Sequence, residues 1–439
     1  MVTQPRAIGE PEPRRLLFVN QYYWPDHAST AQHLADLAES LAARGHEVHV
    51  LCSRGGYKPG AARPPADETH RGVRIHRVGA TALGRRTTLH RLADYLSFYL
   101  RAMIAALFLP RCDAVVTLTT PPIIGLVGTV LRLLKGSRHV FWSMDLHPDA
   151  SIALGRMDAR NPVVRLLAWI SDAVYRRADR VVVLGPYMAD RIAAKRVPRE
   201  RIAAIPVWSR RDEIDPLPRA GHPLRASLGL ADKFVVMYSG NLGLAHSFAE
   251  VIAAARALRH RDDVAFLFVG GGPRLKEVEA ARLADDLANV RVLDYFPREQ
   301  LHASLSVADA HLVTMRAEMT GIVVPGKLYG AMASARPVLF VGPARSESAD
   351  TIRAAGCGEQ VELGDADALV RAIERLAADP ALAADLGRRG REAFLARHER
   401  DGCCAAWADL VADVLDRAPR PARATPTDGH RPLRANAAP

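Results

Sequence analysis

From Arg15 onward, short runs of apolar residues alternate with longer stretches in which apolar positions recur every three or four residues. That alternation is the pattern of strands buried on both faces, each followed by an amphipathic helix. Leu16 to Asn20 reads as a strand, Ser29 to Arg44 as a helix stopped by Gly45, and Glu47 to Cys52 as the next strand. Ala114 to Leu118, His139 to Ser143 and Arg180 to Leu184 continue the series, so repeated βα units predict a parallel sheet. Between Ile205 and Asp232 the periodicity lapses and Pro206, Pro216, Pro218, Gly221 and Pro223 accumulate, as in a connection between domains. A second series follows. Its predicted strands are Phe234 to Tyr238, Val264 to Val269, Arg291 to Leu293, Ala310 to Thr314 and Pro337 to Val341; its helices are Ser247 to Leu258, Arg274 to Leu287 and Lys327 to Ala333.

This grammar predicts an α/β protein of two Rossmann-like, doubly wound domains facing a cleft, since such sheets bind ligands at the carboxyl ends of their strands. The expected division is a flexible stretch over 1–14, an N-terminal domain over 15–206, a linker over 207–232, a second domain over 233–399, a closing helix over 400–416 and a disordered basic tail over 417–439.

Composition narrows the classes. The 59 basic against 48 acidic side chains leave a net charge of +11, part of it from five arginines in the tail. The remaining excess suits anionic ligands or an anionic membrane surface, and no aromatic-spaced basic stripe points to nucleic acid. Five scattered cysteines without C-x-x-C spacing indicate neither a disulfide framework nor a zinc site. The N-terminus has acids and prolines where a signal peptide needs an apolar core, which predicts a cytoplasmic protein. Leu96 to Leu109 and Ile123 to Leu134, the most apolar windows, are broken by Arg101 and Arg132 and fall short of a spanning helix.

Three segments of the second half have the chemistry of an anion site. FVVMYSGNLGLAHSFAEVI and FLFVGGGPRLKEVE each run from a strand into glycines and then a helix, a geometry that either cradles a phosphate or simply makes a tight βα turn. In MRAEMTGIVVPGKLYGAMASARPVLFVG a lysine, Lys327, sits in the first turn of a helix, against the dipole, behind a loop holding Arg316, Glu318, Thr320 and Gly321. A bound diphosphate would resolve that conflict, and so would full solvation. In the first half, VFWSMDLHPDASIALG ends a strand with Asp145 and His147, able to accept a proton from a hydroxyl or to cap the next helix. QYYWPDHAST offers Tyr22, Tyr23, His27, Ser29 and Thr30 for stacking and hydrogen bonding to sugar, or for packing. It lacks the glycines a dinucleotide turn requires.

YSGNLG, VGGGP and VPGKLYGAMASARPV, in this order and with DLHPD upstream, resemble the bacterial family four glycosyltransferases of the GT-B fold over Leu16 to Leu415, closest to members that build lipopolysaccharide, capsule and exopolysaccharide. The resemblance implies a nucleotide-sugar donor in the second half, an acceptor in the first, and transfer with retention and without metal or other cofactor. It implies a donor set of Gly240, Asn241, His246, Gly271, Tyr295, Phe296, Arg316, Glu318, Thr320, Gly321, Ile322, Lys327 and Leu328. Asp145, His147 and Lys327 would act at the transferred sugar, and Tyr22, Tyr23, His27, Ser29 and Thr30 at the acceptor. The chain departs from the pattern in three places: Ile322 and Gly330 stand where many members have two glutamates, Asn241 and His246 stand for an Arg and a Lys, and Met144 stands for a His before Asp145.

The expected reaction is transfer from a UDP-sugar to a polyprenyl-diphosphate-linked saccharide. The rivals are a nucleotide-sugar epimerase of the same fold and a non-catalytic sugar-nucleotide-binding subunit. RRTTLHRLADYLSFYLRAMIAALF places Leu89, Leu92, Leu96, Leu100, Met103 and Leu107 at helical spacing beside Arg85, Arg86, Arg91 and Arg101. It reads as a peripheral contact with the inner membrane or as a helix packed on its own sheet.

Overall fold

The computed structural model describes residues 13–26, 28–55, 64–79 and 88–416, with side chains from residue 94 in the last stretch. His27, Arg85, Arg86, residues 1–12, the tail from 417 and the side chains of Leu89, Arg91 and Leu92 lie outside it. The first half runs β1 (Arg15–Val19), α1 (Ser29–Ala43), β2 (Glu47–Ser53), β3 (Asp67–His70), β4 (Val73–Val78), α2 (Thr88–Phe108), β5 (Ala114–Thr117), α3 (Gly125–Lys135), β6 (Arg138–Trp142), α4 (Asp149–Ala153), α5 (Pro162–Arg177), β7 (Arg180–Val183), α6 (Pro186–Ala194) and β8 (Ile202–Ala204). The sheet order is β3-β4-β2-β1-β5-β6-β7-β8, parallel apart from the β3–β4 hairpin.

Alternation inside β1 shows why both faces are covered. Leu16 and Phe18 pack with Leu34, Leu37 and Leu41 of α1, whereas Leu17 and Val19 pack with Phe98 and Ala102 of α2 and Val127 and Leu131 of α3. Right-handed crossovers toward β5, β6 and β7 place α2, α3 and α5 on one face, and the crossover from β1 to β2, which runs the other way, places α1 on the opposite face.

The second half runs α7 (Pro223–Ser227), β9 (Phe234–Ser239), α8 (Ala249–Ala257), β10 (Val264–Val269), α9 (Leu275–Ala284), β11 (Val290–Leu293), α10 (Leu301–Ser306), β12 (Ala310–Thr314), α11 (Lys327–Ala333), β13 (Val338–Val341), α12 (Glu347–Ala355), β14 (Gly358–Val361), α13 (Ala366–Ala378), α14 (Pro380–Arg397) and α15 (Arg400–Asp416). Its sheet, β11-β10-β9-β12-β13-β14, is parallel throughout.

The stretch read as a linker is packed rather than loose. Trp208, Ile214, His222 and Arg225 are buried. Trp208 donates from Nε1 to Asp36 Oδ2 at 2.9 Å, and Arg225 pairs with Asp309 at 2.9 Å while donating to the Val307 carbonyl at 2.7 Å. Proline and polar spacing hid this, because the residues that anchor the segment lie far away in sequence. The last helix returns to the first half: α15 packs on α1, and Trp407 meets Trp142 with ring centroids 4.6 Å apart. One hydrophobic core therefore runs through both halves.

Candidate functional site

Strands β9 and β10 are neighbours in register, Ser239 beside Val269, so the two glycine-rich loops leave the sheet side by side. They interlock. Gly240 N donates to Val269 O at 2.9 Å, Leu242 N to Gly271 O at 2.8 Å, and Arg274 N to Leu242 O at 3.1 Å. A Cβ on Gly270 would fall 2.3 Å from the Gly240 oxygen, and one on Gly272 would fall 2.5 Å from Asn241 Oδ1. Both glycines have φ near the mirror-image region, +131° and +142°. The Gly240 amide is already donated, so what Gly240 offers a donor is room and not its N–H: a Cβ there would touch Lys327 Cε at 3.4 Å.

Lys327, the first residue of α11, reaches back into this cradle. Its Nζ lies 3.0 Å from His246 Nε2 and 4.8 Å from the centre of the Tyr238 ring. His246 Nδ1 lies 2.5 Å from the Thr314 carbonyl. A carbonyl can only accept, so the Nδ1 proton points at Thr314 and the Nε2 lone pair faces the lysine. Burial first, and Lys327 second, push the His246 imidazole down to about 3, which keeps it neutral. Burial likewise pulls the Lys327 ammonium down to about 7, with no carboxylate to hold it up. At neutral pH the half-buried amine is thus divided between its charged and neutral forms, with no anion beside it to favour the charge.

That shift carries a sign. A diphosphate binds the protonated lysine, so UDP affinity should weaken above pH 7, by about fivefold between pH 7 and 8. Titration calorimetry from pH 7 to 9 measures it, and Lys327→Met should flatten the slope. The unliganded fold should gain stability as pH climbs from 7 toward the ordinary lysine value, because there the unfolded chain binds the extra proton.

The loop between β12 and α11 joins the two halves. Leu146 N, from the DLHPD segment after β6, donates to Ile322 O at 3.1 Å, and Arg191 Nε donates to Thr320 O at 2.7 Å. Gly321, at φ +68°, abuts the Tyr187 carbonyl so closely that a Cβ would lie 2.6 Å from its oxygen. Arg316 pairs with Glu318 at 3.2 Å, and its backbone N–H reaches Ala245 O at 2.9 Å, which ties this loop to the one after Gly240. Its own backbone N–H and Arg316 hold the Glu318 carboxyl below the usual range.

Asp145 and His147 line a small pocket with Thr119, Phe141 and Tyr175. Burial pushes the Asp145 carboxyl up, and His147 pulls against it. The structure thus brings the Asp145 loop against the Gly321 loop, as a cleft between the halves requires.

Several expected contacts are corrected. Tyr23 is 2% exposed and belongs to the core, and Tyr22 is buried beside it, so neither ring offers a face to sugar. Ser29 and Thr30 are not among the corrected contacts: they open α1, where Ser29 is exposed with its Oγ 3.4 Å from His33 Nδ1. Ile322 and Leu328 are buried core residues; Ile322 serves through its carbonyl, and the Leu328 amide is donated to Pro325 O. Phe296 packs against the cluster of Leu230, Val235 and Met237. Tyr295 instead is exposed, its ring close over Gly270 and Gly271.

Two residues escaped the sequence reading. Arg274 donates from Nη1 to the His246 carbonyl at 2.8 Å and pairs with Glu277, which makes it a second cation at the interlocked loops; its place after GGGP was the available signal. Glu347, buried at the start of α12, accepts the Met188 amide at 3.0 Å and so caps α6 from the other half. Burial raises its carboxyl. No local pattern announces a cap supplied from 159 residues away.

Among the described residues, no three His, Cys, Asp or Glu side chains converge as metal ligands, and no helix is long and apolar enough to cross a membrane.

Comparison with known proteins bears on the family and the fold. The sequence profile described as "Glycosyl transferase 4-like domain" matches residues 30–208, and that described as "Glycosyl transferases group 1" matches residues 223–393. The chain is 27% identical over 266 residues to the "Probable glycosyltransferase WbjE" of Pseudomonas aeruginosa, covering 61% of this chain and 66% of that protein, just under two thirds. It is 26% identical over 354 residues to the "Putative colanic acid biosynthesis glycosyl transferase WcaI" of Escherichia coli K12, covering 76% and 84%. Among solved structures, Anabaena Alr3699/HepE in complex with UDP-glucose superposes with a TM-score of 0.69 at 16% identity, over 91% of this chain and all of the other, a likeness of fold.

Proposed function

The chain belongs to the GT-B glycosyltransferases built from a 4-like and a group 1 domain, and on that premise we propose that it moves a hexose or N-acetylhexosamine from a UDP-sugar to a polyprenyl-diphosphate-linked saccharide at the cytoplasmic face of the inner membrane. The product would be bacterial surface polysaccharide, and the anomeric configuration would be retained. The observation that carries this reading is Lys327, a half-buried amine without a counter-charge in the cradle of two glycine loops, whose charged form a diphosphate would favour. Colanic acid biosynthesis in the name of one relative, and UDP-glucose bound by one protein of like fold, support the substrate classes.

In this reading the donor diphosphate lies against Lys327 and the nucleobase against Tyr295. The bond from C1 of the sugar to the phosphate oxygen breaks, its electron pair leaving with the diphosphate, whose new charge Lys327 stabilises. The acceptor hydroxyl oxygen bonds to C1 on the same face, and its proton passes to the departing phosphate oxygen. Asp145 and His147 orient the reactants beside the Gly321 loop, where the two halves meet.

Product analysis with UDP- and GDP-sugars and lipid-linked saccharides tests the proposal: a new glycosidic bond with retained configuration is expected. Conversion of the donor without acceptor would make the chain an epimerase, and nucleotide binding without turnover would make it a binding subunit. Because Lys327 does the electrostatic work, turnover should be unchanged in EDTA and unaffected by added magnesium or manganese. Loss of activity on chelation, restored by either ion, would overturn the metal-free mechanism.

A further inference from the structure

Of the 14 large apolar side chains exposed among the described residues, 11 lie on α2, α3, α5 or the turn before α5. These three helices form one layer over one face of the N-terminal sheet, α3 packed between the other two. On α2, Leu96, Leu100, Ile104 and Phe108 follow one another at four-residue spacing and make a single outward stripe, while Phe98, Ala102 and Ala106 take the inward side. Leu133 and Leu134 extend the stripe at the end of α3, and Val163, Leu166 and Trp169 extend it along α5. Phe108 is 87% exposed and Trp169 is 62% exposed. Scattered apolar side chains are normal on a protein surface; a concentration on one layer marks a docking face.

Charge identifies what docks. Arg101, Arg156, Arg160, Arg165 and Arg177 are exposed on or beside these helices, and none makes an ion pair among the described residues. Of the nearby acids, Asp172 is already held by Lys195 at 3.1 Å, and Asp158 accepts the Arg160 amide at 2.8 Å. Apolar tips with a tryptophan among them, ringed by unpaired arginines, complement the acyl boundary and phosphate headgroups of an anionic bilayer. A second copy docked symmetrically on this face would bring like charges together.

We propose that the α2–α3–α5 layer seats on an anionic membrane surface. The inference rests on the lipid-linked acceptor proposed above and specifies where the bilayer lies. The N-terminal ends of α2, α3 and α5 sit at the carboxyl ends of the strands, the side that carries the Asp145–His147 loop. A bilayer on this layer therefore borders the cleft, and an acceptor headgroup enters it without leaving the membrane.

The test is co-sedimentation of the full chain with phosphatidylcholine vesicles, with and without phosphatidylglycerol. Binding should require phosphatidylglycerol, fall as salt rises, and drop at least tenfold for Leu166→Glu/Trp169→Glu and for Leu100→Glu/Ile104→Glu. Arg160→Glu/Arg165→Glu should weaken it several-fold, and Leu283→Glu, an exposed leucine on α9, should leave it unchanged. Turnover on a short, water-soluble acceptor should persist in every variant, so that lost vesicle binding reports docking and not the active site. Absent wild-type binding, or binding that ignores the face variants, overturns the proposal. So does sedimentation equilibrium showing a dimer that the same variants dissociate. Failure of transfer to every acceptor while vesicle binding stands would instead overturn the enzymatic reading.

Discussion

Replacing Lys327 with methionine should weaken UDP binding by about 10- to 150-fold and leave uridine binding nearly intact. A charge-assisted contact in a desolvated cleft is worth about 1.5–3 kcal/mol. Methionine keeps the apolar stem that lies against Tyr238 and Gly240 and removes only the charge, so the cradle stays filled. Transfer should suffer more, by about 10²–10³ in kcat, because charge on the departing diphosphate peaks as the bond breaks. Calorimetry with both ligands and single-turnover kinetics separate the two effects. Equal losses for UDP and uridine would assign Lys327 to the fold.

Gly321→Ala should cut transfer by about a hundredfold while UDP affinity holds. The substitution strains φ +68° by about 1–2 kcal/mol and drives a methyl into the Tyr187 carbonyl, 2.6 Å away, at the seam where the donor-side loop meets α6. The phosphate cradle is built from Lys327, His246 and the loops after β9 and β10, none of them a partner of the Tyr187 carbonyl, and should keep its contacts. Misplacement of reacting groups by about 1 Å is enough for a loss of this size. Gly364→Ala is the matched control: its φ is +90°, and nothing lies within 4 Å of an added Cβ. It should carry the same backbone penalty and retain full turnover. A Gly321→Ala enzyme as active as the control would show that the seam does not set the geometry of transfer.

Much of the architecture was legible in one dimension. β10 and β12 fall on the predicted residues, and most other strands lie within a residue or two, because a strand buried on both faces writes itself as an unbroken apolar run. The glycine loops and the misplaced lysine were legible too, since each breaks a local rule of helix or turn chemistry. The β3–β4 hairpin was not: its residues are mostly polar, and the pairing with β2 that holds it is remote in sequence.

What the sequence determined alone is therefore what depends on near neighbours: the βα period, the two sheets, the glycines, and Lys327 as an anomaly at a helix start. Tertiary structure decided which of the candidates share a site. His246 meets Lys327 across 81 residues and fixes its own tautomer on Thr314, 68 residues away. Tyr23, Ile322 and Leu328, plausible as ligand contacts by residue type, are claimed by a core that runs through both halves. Glu347 and Arg225, unremarkable in the chain, gain their partners from distant segments. The apolar layer of α2, α3 and α5 exists only once right-handed crossovers lay the three helices side by side. Periodicity records whether a residue faces inward from its own element, and only the packing of elements determines what it faces.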